Sequence, residues 1–329
     1  METPFTGASN LDFGQEWGFH KDCLDIWRIT GYASGNGRMF FFGSRAISGK
    51  TLLGRRHCCS VSLDEFQSGK SFEETRYPKG AGLVVEPAGT LKCEDLLDLD
   101  CSPKGGKFKA KGKGFSYDLS LSGRKDASWI NEKGILTLGN GGGSAICVSA
   151  TNLNVQGEVL IGEKKSVVSG KAWLDKLSGP MSFSKAGSHW EWLTIRFFNN
   201  EEMTIFSFPG SDTKIGSWTK KDGSVSPLEN FQLETSSFAS PSEKAKFACG
   251  WELRVDNKEY SITTIADGTE KFGAYELWAE ICNDSGDQAG ICFAHVMPGT
   301  RNPKFKKQFP LKADFKFPWQ KGKNEKEQN

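Results

Sequence analysis

Short runs in which apolar and polar side chains take turns, each bounded by Gly, Asn, Asp or Ser, recur along the chain from DIWRITGYA to GICFAHVM. RMFFFGSRAI, TLLGRRHCCSVSL, GFSYDLSLS, EVLIG, HWEWLTIRFF, EMTIFSFPG, FACGWELRV and YELWAEIC are of the same kind. A two-residue period puts successive side chains on opposite faces of an extended backbone. The turns between the runs, such as SGNG, NNEE, KKDG and NDSGD, supply the residues that accept positive φ in tight hairpins. No long amphipathic helix interrupts them. The pattern therefore predicts an all-β, antiparallel protein.

Length then fixes the scale. With 329 residues against about 150 per domain, the runs fall into two sets that suit two β-barrel or β-sandwich domains packed together. The interval KKSVVSG, 164–170, is the first choice for the junction, giving an N-terminal domain over 1–165 and a C-terminal domain over 166–318, with the Ser/Pro/Lys-rich SSFASPSEKAK, 236–246, as the alternative cut. The last residues, ending KGKNEKEQN, have no apolar content, so 319–329 are expected to be a disordered tail.

Charge narrows the partners. Lys and Arg number 42 against 40 Asp and Glu, a net +2 with no basic face, which argues against nucleic acid. No stretch reaches the roughly 18 apolar residues of a membrane span, and METPFTGASN lacks the basic and apolar regions of an export signal. The expectation is a cytoplasmic protein whose oligomeric state is left open. Nine cysteines without a CxxC pair read as reduced, mostly buried thiols, and four scattered histidines offer no metal-ligand spacing, so neither a metal nor a cofactor is expected. SGKT at 48–51 lacks the glycine spacing of a phosphate loop and runs into a strand.

Chemistry concentrates in three runs. In GKAWLDKLSG, Trp173 and Asp175 are two apart and project together. In HWEWLTIRFF, Trp190 and Trp192 share one face, and in YELWAEIC, Glu276, Trp278 and Glu280 do so. A carboxyl facing a space walled by indoles is a candidate proton or hydrogen-bond donor. Spacing alone leaves the alternative open that Asp175 caps the turn KLSG while the tryptophans fill a core. Glu276 stays open between cavity and solvent, and His295, beside Phe293 on its strand, reads more readily as a semi-buried histidine than as a catalyst.

The order of these motifs, from DIWRITGYASGNGRMFFFGSR through SGKAWLDKLSG, HWEWLTIRFFNNEEMTIFSF, IGSW and ACGWELRV to YELWAEIC and AGICFAHV, resembles the lipocalin-like family of carotenoid 1,2-hydratases (hydroxyneurosporene synthases) and AttH-like proteins over most of residues 20–297. That family includes enzymes that look like intramolecular Diels–Alder cyclases. Its central pattern, G-x-x-aromatic-x-D-(H)-x-(W)-G followed by W-x-W, is met by Gly170, Trp173, Asp175, Gly179, Trp190 and Trp192. Lys176 and Ser178 stand where the family often has His and Trp.

The resemblance implies two lipocalin-like β domains and a hydrophobic small-molecule substrate. It points to a cofactor-independent cyclase or isomerase of a polyene, polyketide or terpenoid intermediate in secondary metabolism. Asp175 would be the catalytic group, and Trp173, Trp190, Trp192, Glu276, Trp278 and His295 would bind substrate. An alkene hydratase and a non-catalytic carrier of hydrophobic ligands are the alternatives. The departures at Lys176 and Ser178 favour a pocket-shaping cyclase over a hydratase that needs the whole motif.

Overall fold

The computed structural model describes residues 12–51, 54–86, 89–130, 134–138, 142–181, 190–209, 211, 213–242, 245–265, 269–271 and 274–297, so the expected tail lies outside the described residues. The strands that matter most for the site are β1 (Leu24–Gly35), β2 (Arg38–Thr51), β3 (Gly54–Glu65), β4 (Ser144–Ile161), β5 (Lys164–Gly179), β6 (Trp190–Phe197), β7 (Glu202–Phe208), β8 (Ala274–Asn283) and β9 (Gln288–Met297). Among the described residues they belong to two antiparallel sheets, one of 13 strands and one of 10. The chain is all-β, as its alternating runs predict, and is built as two curled, lipocalin-like sheets.

In the first sheet β3, β2, β1, β5 and β4 are successive neighbours. The sheet curls far enough that Phe72, near one edge, meets Phe115 from beyond β4 with ring centroids 5.7 Å apart. Its hollow holds Trp27, Ile29, Phe40, Leu63, Phe108, Leu119, Val155 and Leu174. The second sheet orders β7, β6, β9 and β8 side by side and encloses Leu193, Ile195, Trp251, Leu253, Ile281 and Val296. Each such side chain removed from water contributes about 1.5–3 kcal/mol.

The opposite faces of the two sheets pack on each other. Ile26, Cys147 and Leu177 of the first meet Trp190, Trp192, Phe206 and Phe208 of the second, and Phe41 meets Trp278, Ile291 and Phe293. Strands at this junction are covered on both sides, so β6 and β7 are buried at every residue, whereas the peripheral strand Leu97–Ser102 alternates buried and exposed. A polar clamp ties the layers together. Lys125 Nζ of the first unit donates to Glu202 Oε2 at 2.7 Å, Asn152 Nδ2 to Glu202 Oε1 at 2.6 Å, and Arg196 Nη2 to Asn152 Oδ1 at 3.1 Å.

Two details differ from the reading of local patterns. AICVSATNL and EVLIG are one 18-residue strand, β4, with a register shift between Ala150 and Leu153. The interval 164–170, expected as the junction, is the first part of β5, which pairs with β4 and then with β1. The last strand of the first sheet ends at Gly179 and the next strand, in the second sheet, begins at Trp190. All nine cysteines are free thiols and seven are buried.

Candidate active site between the sheets

Register places the charged residues. On the face of the first sheet that meets the second, Arg28 of β1 lies opposite Asp175 of β5 and Arg45 of β2, and Asp175 lies opposite Ser149 of β4. Asp175, 1% exposed, accepts from Arg28 Nε at 3.2 Å and Nη2 at 2.8 Å, and from Ser149 Oγ at 2.6 Å. The guanidinium lies over the Trp192 ring, 3.5 Å from its centroid, with Phe293 at 5.1 Å. A delocalised cation between a carboxylate and an indole face is held from both sides.

The second sheet contributes a facing group. Glu276 of β8 is opposite His295 of β9, and Trp278 is opposite Phe293. Glu276 Oε1 accepts from Arg45 Nη1, across the sheets, at 2.9 Å and lies 3.1 Å from His295 Nδ1. Burial pushes the His295 imidazole below its ordinary value against the opposing pull of Glu276, so it is neutral at pH 7. A carboxylate paired with Arg45 only accepts, hence Nδ1–H of His295 donates to it. Trp190 meets the imidazole edge-on, 5.4 Å between ring centres.

Between these groups lies a cavity of about 60 Å³, lined among others by Arg28, Arg45, Glu276, Phe41, Trp278 and Phe293. Phe41 and Trp278, one from each sheet, stack at 4.7 Å. Of the residues singled out in the sequence, Glu276 and Trp278 line this cavity and His295 supports Glu276. Asp175 stands behind Arg28 and does not line it. Trp192 backs Arg28, and Trp190 packs on His295. Trp173 shares the face of Asp175, fully buried, with its Nε1 lacking a hydrogen-bond partner among the described residues.

Sequence reasoning therefore found one carboxylate wall and missed both arginines. The available signal was a charge embedded in an apolar run, Arg28 within DIWRITG and Arg45 within GSRAI. The spacing makes Asp175 a candidate proton or hydrogen-bond donor facing apolar rings; in the structure a guanidinium and a hydroxyl both donate to it, so it accepts and anchors Arg28. Among the described residues no three His, Cys, Asp or Glu side chains gather as a ligand set for a metal, and no helix is long and apolar enough to cross a membrane.

No curated protein matches this chain in sequence. Among solved structures it is similar to a protein assigned as AttH from Nitrosomonas europaea, with a TM-score of 0.77 at 16% identity over 90% of this chain and 99% of that one. It is also similar to kievitone hydratase from Nectria haematococca, with a TM-score of 0.62 at 12% identity over 83% of this chain and 88% of that one. CghA with Sch210972 gives 0.55 at 10% identity over 91% of this chain and 96% of that one. At these identities the likeness is one of fold. The AttH-like family model, by contrast, matches residues 95–297, more than half of the sequence, and the chain belongs to the AttH-like family.

Proposed function

We propose that this protein is an enzyme, a cyclase or isomerase that moves a proton on an apolar unsaturated substrate in the cleft between its two sheets. The observation that carries the reading is Glu276. It lines the inter-sheet cavity among Phe41, Trp278 and Phe293 while Arg45 of the other sheet and His295 fix its position. A carboxylate so held, between aromatic rings and polar groups in a buried cleft, is suited to take up and return a proton, and neutral His295 hydrogen-bonded to it can share the charge change. Phe41, Trp278 and Phe293 wall the reacting chain, Trp192 backs Arg28, and Asp175 acts through Arg28. The cavity of about 60 Å³ is far below the roughly 300–1,000 Å³ of ligand sites. Substrate entry therefore parts the Phe41–Trp278 stack.

Hydration of a double bond is the second reading. It is favoured by the same cavity, which has room for water beside Glu276, and by the likeness in fold to kievitone hydratase. Purified protein incubated with mixed polyenes and linear polyketides, followed by liquid chromatography and mass spectrometry, separates the two. A new retention time at unchanged mass supports cyclisation or isomerisation, and a gain of one water supports hydration. Ligand binding with no new product would reduce the protein to a carrier.

A further inference from the structure

Arg28 makes only part of the hydrogen bonding that it offers. Nε and Nη2 donate to Asp175, but Nη1 is buried with no partner among the described residues, although the residue is only 3% exposed. Thr30 lies two residues along the same strand face and lines the same cavity, and its Oγ1 is likewise buried and unpartnered. Buried donors without acceptors are rare in folded proteins, and two on one cavity wall mark a place where an acceptor belongs.

The charges define what kind of acceptor. Arg28 is offset by Asp175 and Arg45 by Glu276, and the carboxylate of Asp64 also lines the cavity, so the site holds no excess of positive charge. A full anion gains less there than a neutral, polarisable oxygen that accepts a charge-assisted hydrogen bond. The aromatic walls, Phe293 beside the guanidinium and Phe41 and Trp278 beyond, suit a flat conjugated body.

We propose that Arg28 Nη1 binds the carbonyl oxygen of the substrate, and that the substrate class is therefore the enones and polyenones, apolar molecules whose double bonds are conjugated to a carbonyl. This rests on the inter-sheet cleft being the reaction site. In the step it implies, Glu276 takes a proton from a carbon next to the conjugated system, and the C–H electron pair shifts along it to leave an enolate oxygen on Arg28. Return of the proton to a different carbon forms a new C–H bond at constant mass. Arg28 is then a catalytic residue, and Asp175 and Ser149 are positioning residues that hold its guanidinium.

A matched pair of probes tests this: benzylideneacetone, a conjugated enone, and 1-phenylbut-1-ene, the same skeleton with a methylene in place of the carbonyl. Binding is read by tryptophan fluorescence, and the carbonyl stretch of the enone by infrared difference spectroscopy. The wild-type protein should bind the enone about tenfold more tightly, the factor that one charge-assisted hydrogen bond supplies, and shift its carbonyl stretch to lower wavenumber. Arg28→Met/Asp175→Asn, which removes both charges together, should lose the preference and the shift while keeping its affinity for the hydrocarbon. Arg28→Lys, which keeps a cation but not the fork, should fold and lose most of the preference. Equal affinities for the two probes in the wild type, or an undiminished preference and shift in either variant, overturn the role of Arg28 and leave the cleft standing. Failure of both probes to bind the wild type overturns the cleft as well.

Discussion

Arg28 and Asp175 form a buried ion pair, Nη2 to Oδ2 at 2.8 Å, that joins β1 to β5 although 147 positions separate the two residues. Removing one member strands the other charge away from water, at a cost of about 3–5 kcal/mol, whereas removing both is far milder. Asp175→Ala should therefore lower the unfolding free energy by that much, read as a lower urea midpoint at unchanged slope, and Arg28→Met/Asp175→Asn should recover at least half of the loss. A double variant as unstable as the single would contradict the pairing.

Lys125 and Glu202 make the corresponding contact between the two units. Burial pushes the Glu202 carboxyl above its usual range, against the pull of Lys125, Arg196 and Asn152. Lys125→Met should cost about 3–5 kcal/mol and raise hydrogen exchange in β6 and β7 together, because the clamp holds one sheet on the other. Exchange that rises only beside residue 125 would count against an inter-sheet role.

Gly170, the first residue of the motif that includes Asp175, has a steric reason to be glycine. A Cβ there would collide with the carbonyl of Tyr32 on β1. Gly170→Ala should prise β5 from β1 and destabilise by about 1–3 kcal/mol, measured by thermal unfolding, with enone binding weakened as Arg28 and Asp175 lose register. A neutral effect would mean that the two strands are not held this closely.

Histidines set opposing pH trends. Burial lowers His295, and burial with the nearby Arg55 lowers His57 to about 4. For both, the unfolded chain takes up a proton first, so stability falls as pH drops from about 6.5, for His57 down to about 4. His20 runs the other way. Burial would lower it, but hydrogen bonds to Asp25 and Glu16 outweigh this and raise it. Its stabilising contribution is present below about 6.5 and is lost as pH rises through that raised value. Replacing His57 with Gln should flatten the acid limb of stability measured by urea unfolding across pH. Replacing His20 with Gln should instead remove stability at pH 5 and little at pH 8. An unchanged acid limb, or a His20 loss greatest at high pH, would contradict these assignments.

How far the sequence reaches follows from what a strand encodes locally. Two-residue spacing correctly puts Trp173 with Asp175 and Trp190 with Trp192, because a face is a property of one run. It does not say which run lies alongside. The meeting of Asp175 with Arg28, and of Glu276 with Arg45 231 positions away, depends on pairing and layering between distant segments. For the same reason YELWAEIC leaves Glu276 open between solvent and cavity until the first sheet is laid over it. Lys176, read as a departure from the motif, faces the first core, where it donates to Asp25 at 2.6 Å and to Ser178 at 2.5 Å. It is a structural substitution on the strand face opposite Asp175.

Glu276 is the group on which the proposed chemistry depends. The most direct test is turnover by Glu276→Gln, beside the wild type, of a substrate found by the mass-spectrometric screen, with binding measured separately. Loss of kcat by about 10²–10⁴-fold, the usual worth of a positioned acid or base, with substrate affinity retained, is the predicted result. Turnover at the wild-type rate would contradict proton transfer by Glu276 and with it the site proposed between the sheets.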